Sequence, residues 1–457
     1  MKTTFLGTRG FVSAKAAWAA TVVGVFFLSS DPSFATTIIV DDFGDTGPGN
    51  CSTSCTLRDA IATAAQGDTI QFAPPNVPPR TISLSGSELF IYKSVTIAGP
   101  GPELLTIDAQ QQSRLVEVAL SADVAISGIH FRNGAVMGTA GNANGTGGAA
   151  PGSPAYGGAF LVNPNTSLTL QKSIVDNNSV LGGTGGVILG SGTQAGAGGN
   201  AYGGAIYNSG LLKISRSSLA NNDATGGTGG ADQVFMPGMA STAGTGGDAF
   251  GGGIAGPGEV ELTNVLIANN RAAGGTGGST LLLPGSRGGD SGNGAAGAMD
   301  AGGIAVLQFV TMAQNIATTG SPGIGAPNGN LGSSLAGDVL ARSTVLSRSS
   351  IIASNDGSCA TNGGSFALQG ANFNQDGSCP GFTVASSLLK PVAHGLDGYW
   401  IAMPVYKSPE IDAALDCKDA FGDQVTTDVE SVSRPQGEAC DVGAVESDYI
   451  FASDFEP

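Results

Sequence analysis

Six cysteines offer the most specific chemistry in this sequence of 457 residues. Their even number favours disulfide bonds if the chain is exported, as its N-terminus indicates below. Neighbours in the sequence are the expected partners, although six cysteines allow many other pairings. A zinc site is the alternative, but His130 and His394 adjoin no cysteine pair and no C-x-x-C occurs. The expected disulfides are Cys51–Cys55, Cys359–Cys379 and Cys417–Cys440.

Carboxylates and basic groups could act on a polysaccharide only if they converge on neighbouring repeats. Glycoside hydrolysis needs two carboxylates close together, and elimination needs acids that hold calcium beside a basic residue. The acids do not recur, because Asp176 becomes Ala220 and Ala268 in the following repeats. Glu261 faces Lys213 of the neighbouring repeat. No Ser/His/Asp trio is evident, so we predict no catalytic residues and no cofactor.

Two basic residues and one histidine occupy repeat positions. Lys172 and Arg216 are equivalent, so we expect them to stack as a solvated basic pair on one face. His130 is equivalent to Ile174 and Ser218, and we interpret it as an ordinary wall residue rather than a base. The sequence does not identify ligand-binding residues.

Two Gly-Gly-Asp fragments are the sequence feature that could indicate a metal site. Gly246-Gly247-Asp248 and Gly288-Gly289-Asp290 are similar to part of G-G-x-G-x-D-x-U-x, a repeat that binds calcium in β-solenoids. Their register differs, and the aspartates do not recur at the period of that repeat. We therefore predict no metal.

These residues lie in a sequence that repeats. Each copy contains a Gly-Gly motif, then alternating apolar residues, then Asn-Asn or Gln-Asn. The motifs start at residues 156, 202, 250 and 301, the last one being weaker, and half a copy precedes them at 124–133. Alternation with period two predicts short strands with one buried face. About three such strands per copy predict one rung of a β-solenoid.

Asparagines and glycines recur at fixed places in each rung. Stacked rungs bring equivalent side chains to about 4.8 Å, so we expect Asn177, Asn221 and Asn269 to form a structural ladder of side-chain amides. A ligand-binding row is the alternative. Glycine would let the loops after these strands turn with positive φ and pack backbone against backbone along one edge. These glycine-rich stretches are 137–154, 182–201, 226–249 and 274–298.

Different patterns flank the repeats. Residues 57–65 have helical spacing and predict a helix that caps the first rung and shields its edge. We expect the β-helix to run from about residue 70 to about residue 352. After residue 340 the repeat gives way to a loop-rich region that carries cysteines. Strands before the repeats are predicted at 69–72, 81–84, 89–91, 95–97, 105–107 and 115–118.

Composition excludes several classes of protein. The chain contains 74 glycines, 12% charged residues and a formal net charge of −17. The glycines do not settle into a three-residue period, which excludes collagen, and the few charges exclude a coiled coil. Binding of nucleic acid needs clustered cations, so this charge argues against a nucleic-acid partner.

The N-terminus is typical of an export signal. Lys2, Arg9 and Lys15 lie before the apolar run 16–28, and the small residues around Ala35 suit a cleavage site. A transmembrane anchor is the alternative, but the apolar run is short. No later stretch is apolar enough to span a membrane, so no transmembrane segment is expected after signal removal. The tail at 448–457 is predicted to cover the last rung; a sorting tag is the alternative.

Two motifs near the ends of the chain are specific. C-T-L-R-D-A-I at 55–61 and G-D-T-I at 67–70 resemble the C-S-L-R-E-A-I opening of secreted bacterial CSLREA-domain proteins, from which Thr56 and Asp59 depart. S-P-E-I-D-A at 408–413 and R-P-Q-G-E-A-C-D-V-G-A-V-E at 434–446 resemble the choice-of-anchor Q region. T-D-V-E at 427–430 replaces the D-Q-R-G of that region. The repeats are similar to those of polymorphic outer-membrane proteins. The resemblance implies a right-handed parallel β-helix of the pectin-lyase-like superfamily.

Together these features predict an all-β protein: a right-handed parallel β-helix with an N-terminal capping helix and a loop-rich, disulfide-bearing C-terminal region. The predicted function is a non-enzymatic, adhesin-like protein that is secreted or associated with the cell surface or outer membrane. Its predicted partner is an extracellular polysaccharide or the surface of a host or neighbouring cell. A polysaccharide lyase or glycoside hydrolase is one alternative, and a structural envelope or matrix protein is the second. The predicted segments are a signal peptide at 1–35, a cap at 36–80, the β-helix at 81–340, a choice-of-anchor Q-like region at 341–447 and a tail at 448–457.

Overall fold

The computed structural model describes residues 35–74, 79–143, 148–190, 192–233, 240–281, 284–354, 357–395 and 397–447. The expected signal peptide, except for Ala35, and the tail at 448–457 lie outside these ranges. The described residues form one helix, α1 (Leu57–Thr63), and 37 strands.

The strands follow in chain order. They are β1 (Thr37–Val40), β2 (Thr69–Phe72), β3 (Arg80–Ser83), β4 (Leu89–Ile91), β5 (Thr96–Ala98), β6 (Leu105–Asp108), β7 (Val116–Val118), β8 (Asp123–Ser127), β9 (His130–Arg132), β10 (Ala135–Met137), β11 (Ala155–Tyr156), β12 (Phe160–Val162), β13 (Ser167–Gln171), β14 (Ile174–Asp176), β15 (Ser179–Leu181), β16 (Ala201–Tyr202), β17 (Ile206–Asn208), β18 (Leu211–Ala220), β19 (Asp223–Thr225), β20 (Ala249–Phe250), β21 (Ile254–Gly256), β22 (Glu259–Ala268), β23 (Arg271–Ala273), β24 (Gly294–Ala296), β25 (Met299–Ala301), β26 (Ala305–Ala313), β27 (Ile316–Thr318), β28 (Ser334–Ala336), β29 (Val339–Ala341), β30 (Thr344–Arg348), β31 (Ile351–Ala353), β32 (Cys359–Thr361), β33 (Ser365–Gln369), β34 (Phe373–Asn374), β35 (Thr383–Val384), β36 (Ala393–His394) and β37 (Trp400–Ile401).

The strands stack as rungs of a right-handed parallel β-helix, which confirms the predicted fold class. Each strand pairs in parallel with its equivalent one rung later: Leu168 pairs with Leu212, which pairs with Val260. Among the described strands, β36 and β37 form the one antiparallel pair. Inward-facing side chains fill the solenoid with Val, Leu, Ile and a few Phe. Phe131 and Phe160 meet edge to face there, with ring centroids 4.9 Å apart.

Two walls of the solenoid carry the surface residues that are described below. Wall A is a 17-stranded sheet, and wall B contains β4, β7, β12, β17, β21, β25, β29 and β32. Wall A bends at a corner where one residue of each rung has a positive φ. The left-handed backbone redirects the chain at each level, and stacking holds it even where the residue is not glycine. The corner residues are Gly128, Lys172, Arg216, Asn264, Phe309 and Ser349.

The parallel ladder is longer than predicted at both ends. β1 precedes α1 and pairs with β2, so Thr37 lies opposite Thr69. Pairing also continues past residue 352 through β32, β33, β34 and β35.

The fourth repeat is shifted from its predicted start at residue 301. Ile254 pairs with Met299, not with Ile304. Met299 is buried, whereas Ile304 is 48% exposed. The Gly-Gly dipeptide at 302–303 is therefore not equivalent to the earlier Gly-Gly motifs, because each rung keeps its register by strand pairing.

The amide ladder exists, but one residue later than predicted. Asn177, Asn221 and Asn269 have positive φ and form the second corner of each rung. The side chain of the next residue points inward. Each buried amide oxygen accepts a hydrogen bond from the side-chain amide of the preceding rung. The distance is 2.9 Å from Asn178 Nδ2 to Asn222 Oδ1 and 2.9 Å from Asn222 Nδ2 to Asn270 Oδ1.

Asp338 terminates this ladder. Asn270 Nδ2 donates to Asn315 Oδ1 at 2.9 Å, and Asn315 Nδ2 donates to Asp338 Oδ1 at 2.8 Å. Ser354 donates its hydroxyl to the same carboxylate at 2.8 Å. Burial raises the pKa of Asp338 to about 6, and the hydrogen bonds from Asn315 and Ser354 oppose that rise.

The glycine-rich stretches form arms that leave the solenoid and return to it, and the outgoing and returning parts of an arm are hydrogen-bonded to each other. Gly185 N donates to Thr228 O of the next arm at 2.8 Å, and Gly199 N donates to Gly183 O within one arm at 2.7 Å. A Cβ on Gly230 would lie 1.9 Å from Gly186 O. Neither glycine has a positive φ, so that part of the expectation is wrong for them, whereas the expected packing of backbone against backbone is confirmed. Glycine is required because neighbouring backbones touch, not because the chain turns.

The residues of the N-terminal motif, at 55–61 and 67–70, have structural roles. Thr56 and Asp59 form a capping box that starts α1, which satisfies free N–H groups of the first turn. Arg58 bonds to Asp45 at 2.8 Å. Asp68 accepts from Thr36 N at 2.7 Å, and these bonds hold its pKa below the usual range.

The cysteines form three disulfides, which are the pairs that proximity in the sequence predicts. They are Cys51–Cys55, Cys359–Cys379 and Cys417–Cys440. Three disulfides are typical of proteins that fold in an oxidising compartment.

Asn222→Ala tests the amide ladder. We expect it to lower the free energy of unfolding by about 2–4 kcal/mol, because Asn178 and Asn270 each lose a buried partner. Asn221→Gly is the matched control, since glycine tolerates the positive φ at that corner and should change stability by less than about 1 kcal/mol. Denaturant melts of both variants measure the difference. Equal losses in the two variants would contradict the shifted ladder.

Gly230→Ala tests the packing of the arms. The added methyl group must displace the Gly186 carbonyl, so we expect a cost of about 1–3 kcal/mol and faster amide exchange in the adjacent arms. Thr228→Ala, on the exposed side of the same arm, should leave exchange unchanged. Hydrogen exchange followed by mass spectrometry checks both. Unchanged protection in Gly230→Ala would show that the arms are not closely packed.

Candidate functional site

The C-terminal segment (residues 386–395 and 397–447) lies on the outside of wall A. It covers the docking face, which we define as the outward residues Ile174, Ser218, Leu266, Thr311 and Ile351. Tyr399 and Val445 pack against Ile174. Asn264 Nδ2 donates to Thr427 O at 2.6 Å, and Ala444 N donates to Thr311 Oγ1 at 2.9 Å. This wall is therefore occupied by the chain itself over those rungs.

Arg434 anchors the segment at the corner of wall A. Its guanidinium lies over the ring of Phe309, 4.6 Å from the centroid, and donates to Gly443 O at 2.6 Å. It also pairs with Glu446 at 2.8 Å, and both side chains are fully buried. Burial lowers the pKa of Arg434, which the Glu446 carboxylate opposes. Removal of either partner would strongly lower the free energy of unfolding, because the other charge would remain buried without a counter-ion.

Glu410 is a buried carboxyl group of the same segment, and Ser408 opposes the rise of its pKa only in part. Its side chain is fully buried, and neither carboxylate oxygen has a hydrogen-bond partner within the described ranges. Burial raises its pKa to about 7, and the nearby Asp441 carboxylate adds to the rise. The carboxyl group is therefore partly protonated at neutral pH.

His130 lies at the edge of the docking face, as a wall residue. Its Nε2 is 2.9 Å from Asp176 Oδ1, and Trp400 Nε1 donates to Asp176 Oδ2 at 3.0 Å. Burial raises the pKa of Asp176, but the bonds from His130 and Trp400 outweigh it and the net shift is downward. His394 packs on Trp400, with ring centroids 3.8 Å apart. This cluster clamps the C-terminal segment to the wall.

A polar cavity of about 340 Å³, here the corner pocket, opens where the C-terminal segment meets the corner of wall A. Lys172, Glu103, Asp397 and Tyr399 are among its lining residues. Burial raises the pKa of Tyr399, helped by the Glu103 and Asp397 carboxylates, so its phenol stays protonated. Lys172 and Arg216 occupy equivalent corner positions, as their repeat positions predict.

A second cavity, here the tyrosine pocket, lies outside wall B and measures about 310 Å³. Tyr202 and Phe250 stack almost parallel, with centroids 4.8 Å apart. The ring of Tyr207 is inclined by 69° to that of Tyr202. Pro257 adds a further apolar surface. The pocket therefore combines aromatic and aliphatic walls that are half-buried.

An ion pair closes one side of the tyrosine pocket. Arg342 Nε lies 2.6 Å from Asp300 Oδ1, and the guanidinium is 5.3 Å from the centroid of Phe250. Burial raises the pKa of Asp300, which the bond from Arg342 opposes. Apolar walls with a few convergent polar groups are typical of small-ligand sites.

The remaining predicted positions have structural partners. Lys213 Nζ lies 2.7 Å from Glu261, as their equivalence predicts. Asn293 Nδ2 donates to Asp248 at 2.9 Å, and Asp290 accepts from Asn330 N at 2.6 Å. In the described ranges no three His, Cys, Asp or Glu side chains lie together as a group that could hold a metal. No helix among the described residues is long and apolar enough to cross a membrane.

The residues of the tyrosine pocket were not predicted from the sequence. Tyr202 and Phe250 were visible as the first residue of the repeated Gly-Gly motif. Their recurrence predicts an aromatic stack in any solenoid whose rungs are in register. Asp300 and Arg342 carried no such signal, because they come from neighbouring rungs and do not recur.

No protein-family profile matches the chain, and no curated protein matches it. Some solved structures are similar. A pectate lyase, Pel9A, has a TM-score of 0.33 and 12% identity, covering 91% of this chain and 97% of its own. A rhamnogalacturonan lyase has a TM-score of 0.26 and 14% identity, covering 82% and 96%. The fold assignment rests on the strand register described above.

Glu410→Gln tests the buried carboxyl. A raised pKa means that the folded state holds the proton more tightly. The protonated Glu410 therefore makes its full contribution to the free energy of unfolding below about pH 4.5, and this contribution is lost as the pH rises through about 7. We expect Glu410→Gln to match the parent near pH 5 and to exceed it at pH 8. Limited proteolysis of the C-terminal segment at both pH values measures this. A variant with the parent's pH dependence would contradict the assignment; Asp338 remains in both proteins as a common background.

Proposed function

We propose that this chain is an exported, non-enzymatic, adhesin-like protein that binds an extracellular polysaccharide through the tyrosine pocket. The observation that supports this best is the combination of Tyr207, Phe250 and Pro257 with the Asp300–Arg342 pair. Sugars have apolar C–H faces that pack on aromatic rings and hydroxyls that bond to charged groups. The pocket offers both kinds of contact at one place.

A polysaccharide lyase or glycoside hydrolase is the second candidate. The corner pocket supports it, because Lys172 and the protonated phenol of Tyr399 line one polar cavity. An elimination requires a group that accepts a proton and a group that donates one, roles that a deprotonated lysine and a tyrosine can take.

Export and family membership belong to the same proposal. Three disulfides support an oxidising compartment. The motifs similar to CSLREA and choice-of-anchor Q proteins contain Thr56, Asp59, Arg434 and Glu446, which make buried contacts.

Binding to a panel of purified polysaccharides tests the function. We expect Tyr207→Ala and Asp300→Asn to weaken binding about tenfold each, the loss for one aromatic or charged contact. Phe421→Ala is the control, because Phe421 is 63% exposed and lines neither cavity. Affinity electrophoresis and titration calorimetry measure the change.

Product analysis separates the two candidates. Unsaturated sugars or new reducing ends, formed by the parent and abolished in Lys172→Ala, would replace the binding proposal by an enzyme. Equal binding by the parent and Tyr207→Ala would move the site away from the tyrosine pocket.

A further inference from the structure

The outward face of wall B carries a column of side chains that runs along the solenoid axis. Phe90 in β4 pairs with Glu117 in β7, which pairs with Leu161 in β12, which pairs with Tyr207 in β17. The neighbours of Phe90 in its strand are buried in the core, so Phe90 faces outward and is 43% exposed. The column therefore connects the N-terminal rungs to the tyrosine pocket.

Aromatic groups with cavities mark both ends of this column. At the N-terminal end, Phe90 and Tyr92 stack with centroids 5.8 Å apart, and a cavity of about 210 Å³ lies between them and α1. At the other end lies the tyrosine pocket. Three strand spacings separate Phe90 from Tyr207, which is about 14 Å. One strand spacing is close to the length of one sugar unit in an extended glycan.

The charged side chains between the two ends are one guanidinium shared by two carboxylates. Arg114 forms ion pairs with Glu88 and, at 3.9 Å, with Glu117. Asn163 Nδ2 donates to Glu117 Oε1 at 2.7 Å. The Asp300–Arg342 pair at the far end is likewise internal. Paired charges bond to hydroxyl groups of a sugar, and the net charge of −17 repels polyanions.

We propose that the partner is a neutral glycan chain lying parallel to the solenoid axis, from the Phe90–Tyr92 pair to the tyrosine pocket. This inference rests on the proposed function and specifies its ligand. Sugar rings pack on the aromatic groups at both ends, and hydroxyl groups between them bond to the Glu117 and Asn163 side chains. The chain spans the strip with about one sugar per rung.

Titration calorimetry with defined oligosaccharides tests this inference. The probes are β-linked neutral glucose oligomers from disaccharide to hexasaccharide, and galacturonate oligomers of the same lengths. We expect affinity to rise with length for the neutral series, to be at least tenfold lower for the acidic series, and to change little with salt. Phe90→Ala should weaken the hexasaccharide about tenfold and leave the disaccharide unchanged. Tyr207→Ala should weaken every length, and Phe421→Ala should weaken none.

Each contrary result has a distinct meaning. Tighter binding of the acidic series would overturn the neutral ligand and leave the proposed function intact. Neutral binding that does not depend on length, or that Phe90→Ala leaves unchanged at every length, would overturn the axial chain. An absence of binding to both series and to the polysaccharide panel would overturn the inference and the proposed function together.

Discussion

The register between neighbouring rungs is the constraint on which the rest of the structure depends. In a parallel solenoid, each rung supplies the hydrogen-bond partners of the next, so every level must follow the same path. The two corners keep that path through residues with positive φ, such as Lys172 and Asn221. The buried Asn178–Asn222–Asn270–Asn315 ladder satisfies amides at the second corner of these four rungs. A side chain of another length there would leave buried N–H groups without partners.

The same constraint explains where the glycines lie. Rungs of unequal sequence length can remain in register only if the extra residues leave the solenoid at one place. The arms do this, and they then pack on one another by backbone hydrogen bonds. Gly186 and Gly230 approach so closely that a methyl group would collide with a carbonyl. Low side-chain content thus allows long insertions to be ordered without a hydrophobic core of their own.

The C-terminal segment decides which surface remains for a partner. It covers the docking face and is held by Arg434 over Phe309 and by Trp400 on Asp176. With that wall occupied over these rungs, the column from Phe90 to Tyr207 on wall B is a surface that still offers both aromatic and polar groups. The corner pocket exists because the segment meets the wall, so its chemistry depends on the same docking.

The sequence by itself determined the β-helix, the capping helix and the cysteine pairs, because alternation, helical spacing and short separations are local signals. It placed the amide ladder one residue early, since only the backbone at Asn177 decides which amide points inward. It also placed the fourth repeat at Ile304 instead of Met299, where pairing with Ile254 decides. Tertiary structure alone decided the tyrosine pocket and the covered wall. Those contacts join residues as distant as Asp176 and Trp400, and no periodic pattern relates such residues.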